Sequence, residues 1–149
     1  DQFVEALLMA LEETFEKVRG MYLDRGTSLF ETLATISAEE ASRPVSATCA
    51  SIAAHVAHLV VYMDVTLKFV RGEPAEVDWS EVWHTVQEVT PEEWEASQQA
   101  LRSAYGNIQA LARDTTEWGT NEMGGAMALL MHNAYHLGEI RQALCTLRN

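Results

Sequence analysis

The chain is 149 residues long, the size of one globular domain, and is 48% hydrophobic against 21% charged, a balance that argues against disorder. Ten Lys and Arg face 22 Asp and Glu, a formal charge of −12, so nucleic acid and anionic membrane surfaces lack the basic footprint they need. No stretch free of charge and histidine approaches the ~20 residues that cross a bilayer, no signal peptide is visible, and Cys49 and Cys145 are too few for a disulfide framework.

A cytoplasmic chain of one domain (1–149) with buried, reduced thiols is therefore expected. Runs of alternating β-branched residues are missing, so the elements read as helices. The first is expected over Gln2 to Leu23, with Val4, Leu7, Leu8, Leu11, Phe15, Val18 and Tyr22 at helical spacing, until Asp24-Arg25-Gly26 breaks it. Ser28-x-x-Glu31 reads as a capping box opening a short helix through Ala34, and Ser37-x-x-Glu40 as a further turn before Pro44. The second long helix begins between Thr48 and Ser51 and ends near Arg71-Gly72. A crossover of roughly twenty residues follows, with a helical turn at Asp78-x-x-Glu81. Thr90-Pro91-Glu92-Glu93 then opens the third long helix, which carries Trp94, Leu101, Tyr105, Ile108 and Ala112 to about Asp114. The fourth begins near Thr120–Glu122 and runs almost to the C-terminus. Four helices of about 22 to 28 residues suit an all-α four-helix bundle with a long crossover between the second and third.

Histidine placement carries the chemistry. Of His55, His58, His84, His132 and His136, four lie in the second and fourth long helices. His132 and His136 project from the apolar stripe of Leu129, Ile140, Ala143 and Leu147, one turn apart, as a chelating pair on one helix requires. On the second helix, His55 and His58 share the inward arc with Leu59, Tyr62, Thr66 and Phe69, and the helical wheel does not choose between them. A third imidazole from that helix would complete an open site for a divalent ion. A lone inward histidine is otherwise a hydrogen-bonded core residue.

The segment Ser51-Ile-Ala-Ala-His55-Val-Ala-His58-Leu59, followed by His132-Asn-Ala-Tyr-His136-Leu-Gly138-Glu139-Ile140, resembles the DinB/YfiT-like superfamily. The resemblance takes in the early helix break, the crossover, the Glu-Glu-Trp94 entry to the third helix and the Trp118-Gly119 turn. It implies a homodimeric four-helix bundle holding a divalent metal, zinc or nickel, on His58, His132 and His136. His58 rather than His55 matches the family's ligand, seven residues after the Ser that opens the helix and just before a Leu. Glu139 departs from the Gln that the family often carries after its Gly. The resemblance further implies a thiol-dependent S-transferase using a low-molecular-weight thiol, or a hydrolase of small molecules. A non-catalytic metal-binding or dimeric stress-related bundle is the competing expectation.

Tyr62 and Glu139 are the candidates for catalytic or orienting roles, one as a hydrogen-bond donor and the other as acceptor for the free ring N–H of His136. Tyr135 lies within helical reach of the histidines too, whereas Arg141 reads as a surface residue and His84 as a non-ligand. Glu81-x-x-His84 lacks the second Glu-x-x-His element that a di-iron bundle needs. On the fourth helix, Met123, Met127, Leu130, Ala134 and Leu137 form a second apolar side, which places a homodimer contact there or on the first helix.

Overall fold

Polar caps set the start of most helices in the computed structural model, which describes residues 1–149 apart from the side chain of Val82. Asp1 caps α1 (Gln2–Phe15), Ser28 caps α2 (Leu29–Leu33), Ser37 caps α3 (Ala38–Ser42) and Ser51 caps α4 (Ile52–Val70), each accepting a first-turn backbone N–H. α4 ends at Arg71, and Gly72 (φ 71°) takes the left-handed turn that a residue with Cβ resists. α5 (Trp79–Thr85) follows Asp78, whose Oδ1 receives the backbone N–H and hydroxyl of Ser80 at 2.9 and 2.6 Å. Thr90 and Glu93 close a reciprocal capping box on α6 (Pro91–Asp114), and α7 (Thr120–Leu147) begins at Gly119. Among the described residues there is no strand, so the chain is all-α.

α1 stops eight residues short of the expected Leu23. The reason is a buried carboxylate. After Phe15 the chain leaves the helix and wraps round Glu13, which accepts the backbone N–H groups of Arg19, Met21, Tyr22 and Leu23 at 2.8–3.1 Å. Gly20 (φ 86°) lets the chain turn through this wrap. Burial pushes the Glu13 carboxyl up, but the four donors outweigh it and hold the group down at about 2. Val18 and Tyr22 only continue the helical spacing; Tyr22 is half exposed, its hydroxyl paired with Thr14.

α4 packs on α6 and α7, and α1 packs on the same two helices. Between them lie Leu11, Phe15, Ile52, Leu59, Met63, Leu101, Leu137 and Ile140, fully or almost fully buried. Such side chains contribute roughly 2 kcal/mol each relative to exposure. The Trp94 indole donates to the Ile36 carbonyl at 2.9 Å, tying the start of α6 to the segment between α2 and α3. Arg141 donates to the Thr32 hydroxyl at 3.0 Å and so pins α7 to α2.

Two expectations need correction. Phe69, placed on the inward arc of the second helix, is 81% exposed, because α4 ends one residue later and its last turn projects past the core. Cys49 and Cys145 are exposed rather than buried, one in the loop before α4 and the other on the solvent side of α7. α4 is long and apolar enough, by length and composition, to cross a membrane, with a mean hydropathy of 1.3. Half of it is buried against the rest of the protein, and a core helix passes the same test.

Candidate metal centre

The cap at Ser51 decides which residues of α4 reach the interior first. His55 and His58 fall on its first two turns, among the buried Ile52, Ala54, Val56 and Leu59. α7 packs against α4 and brings His132 and His136 opposite them, with Leu129, Leu137 and Ile140 securing its inner face. His55, His58 and His136 are buried and His132 is half-buried.

Two nitrogen pairs span the helices. His58 Nε2 lies 3.1 Å from His132 Nε2, and His55 Nδ1 lies 3.1 Å from His136 Nδ1. His136 Nδ1 is also 3.1 Å from Glu139 Oε1, one turn along α7. The ligand atoms of His58, His132 and His136 all fall within 4.8 Å of one another, and so do those of His55, His136 and Glu139. These three-residue clusters could each hold a metal ion, and His136 belongs to both.

Aromatic rings cover the His58 side. Tyr62 stacks on His132 with centroids 3.7 Å apart and planes at 14°, so this candidate meets the cluster through its ring. Trp83 stacks on His58 at 4.5 Å, and Trp79 meets the same ring edge-on at 5.6 Å. Neither tryptophan stood out in the sequence, although four residues apart on α5 they share one face. Tyr135 meets His136 edge-on at 5.3 Å from an exposed position. His84 is exposed and belongs to neither cluster.

Burial and mutual repulsion keep the imidazoles neutral. Burial, with His58 adding repulsion, lowers His55 and His132 to about 4. Burial followed by repulsion from His132, His58 and His55 takes His136 down to about 3, and burial alone lowers His58. All four therefore carry free lone pairs at neutral pH, the form that binds metal. Burial pushes the Glu139 carboxyl and the Tyr62 phenol up.

A cleft of about 780 Å³ opens beside this cluster, lined by His55, Trp83, Tyr135, His136 and Glu139 and rimmed by Cys49. The fold and the site together define an all-helical protein with four inward histidines on two packed helices, next to a cleft of small-molecule size. No family model, curated protein or solved structure matches the chain.

Proposed function

We propose that this chain is a DinB-like metal-dependent enzyme, a thiol-dependent S-transferase or small-molecule hydrolase, with zinc or nickel held by His58, His132 and His136. In this reading α1, α4, α6 and α7 are the four helices of the bundle, and residues 71–90 with α5 are its crossover. The observation that carries it is the convergence of three neutral imidazoles from two helices, with ligand atoms within 4.8 Å. Their fit to a metal is supported by the 3.1 Å separation of His58 Nε2 and His132 Nε2. Nitrogens on a tetrahedral ion with bonds of about 2.0–2.1 Å stand roughly 3.3 Å apart.

A divalent ion bound there supplies a Lewis acid that lowers the pKa of a thiol or water. The chain's own residues do the rest. Glu139 Oε1 stands 3.1 Å from His136 Nδ1, and its charge there favours a proton on that nitrogen, which leaves the ring's lone pair on Nε2. Tyr62 and Trp83 fix the planes of His132 and His58 by stacking. The cleft admits a small molecule beside His136. The reading also includes a homodimer in the cytoplasm.

The test is a screen of thiol-transfer and ester- or amide-hydrolysis substrates with zinc- and nickel-loaded protein. Turnover that falls at least 100-fold in both His58→Ala and His132→Ala, with helix content unchanged by circular dichroism, is the expected result. Turnover that survives either substitution, or none with any substrate in the wild type, contradicts the proposal.

A further inference from the structure

We infer that His55, His136 and Glu139 form a second divalent-cation position, which shares the His136 ring with the three-histidine position and faces the cleft. The inference rests on the three-histidine reading, because both positions use the His136 ring, whose Nδ1 faces His55 and Glu139.

His55 is what the three-histidine site leaves unexplained. It is buried, and its Nδ1 is aimed at His136 Nδ1 at 3.1 Å. Glu139 Oε1 stands 3.1 Å from the same His136 atom. Two imidazole nitrogens and a carboxylate oxygen are the donor set of His₂Glu zinc sites, and both distances are close to the ligand–ligand edge of a tetrahedral ion. All three donors lie within 4.8 Å of one another.

Access differs between the two positions. Trp79 and Tyr62 lie against His58 and His132, whereas His55, His136 and Glu139 all line the cleft of about 780 Å³, with Trp83 on its wall between the two positions. The second position is therefore the one that a ligand entering the cleft meets. Loading it exchanges the proton on His136 Nδ1 for the cation, and that proton passes to the buffer. The Glu139 carboxylate and the ring left anionic then offset the second ion's two charges.

Zinc content after equilibration with excess zinc and gel filtration through a weak chelator tests this. Wild-type protein is expected to carry two ions per chain. His55→Ala and Glu139→Gln each retain one, His58→Ala retains one, and His136→Ala retains none. A wild type with one ion, unchanged in His55→Ala and Glu139→Gln, overturns the second position and leaves the three-histidine site standing. One ion that is lost in His55→Ala but kept in His58→Ala overturns both the sharing and the three-histidine assignment. No ion in the wild type overturns both as well.

Discussion

Single residues show where spacing carries information and where it does not. His132 and His136 were legible as a chelating pair because one turn of helix separates them, and that relation needs no knowledge of the rest of the chain. Glu13 was not legible, because its role depends on backbone donors up to ten residues away that adopt a loop. The consequence for stability has a definite sign. The Glu13 carboxyl is held at about 2 against an ordinary value of 4.5. It therefore adds stability that is complete above pH 4.5 and is lost as the pH falls toward 2. The histidines act over a higher window: the unfolded chain protonates them below pH 6.5, while folded His55 and His132 resist until about 4 and His136 until about 3. Stability of the metal-free protein should thus decline from pH 6.5 downward. Glu13→Gln should cost about 2–3 kcal/mol near neutral pH, because it places an amide against four N–H donors. Denaturant titrations of wild type and variant from pH 7 to pH 2.5 should show that difference shrinking below pH 4.5. A constant difference would contradict the carboxylate's role.

At the scale of elements, caps were the dependable signal. The Thr90-Pro91-Glu92-Glu93 start of α6 and the Ser51 start of α4 depend on contacts within one turn, so sequence alone exposes them. The end of α1 and the path of α5 depend on tertiary contacts, and periodicity placed neither. The same gap hid Trp79 and Trp83, whose contacts with His58 arise only once α5 packs on α4. The Ser28-x-x-Glu31 signal opened a helix as expected, yet Glu31 accepts the Ser28 hydroxyl and the Val18 N–H rather than closing the box. The cap on α6 can be weighed directly. Thr90→Ala should destabilise the protein by about 1 kcal/mol, a fall of roughly 2–4 °C in Tm, since the Glu93 backbone N–H loses its Thr90 Oγ1 acceptor. An unchanged Tm in scanning calorimetry would show that α6 starts without it.

The whole molecule presents one surface that its interior does not use. Met127, Met131 and Tyr135, spaced one turn apart on α7, are each more than half exposed. Tyr135 also meets the His136 ring and lines the cleft, so a second copy seated there would border the site. The proposed homodimer should sediment at about twice the 16.6 kDa chain mass, and Met127→Glu with Met131→Glu should return it to the monomer. A wild-type monomer at 50 µM would contradict it. The general plan of this molecule, all-helical with inward histidines on two helices, could be read from spacing and caps. The aromatic cover over His58 and the cleft beside His136 required the packed chain, since each joins residues from separate elements.

The central claim is that His58, His132 and His136 hold a divalent metal. Elemental mass spectrometry of tag-free protein never exposed to a nickel column measures it most directly. The account predicts at least one zinc or nickel ion per chain in the wild type, with one ion fewer in His132→Ala and in His58→Ala. Metal-free protein after reconstitution, or an unchanged content in both variants, would contradict it and leave these histidines as core residues.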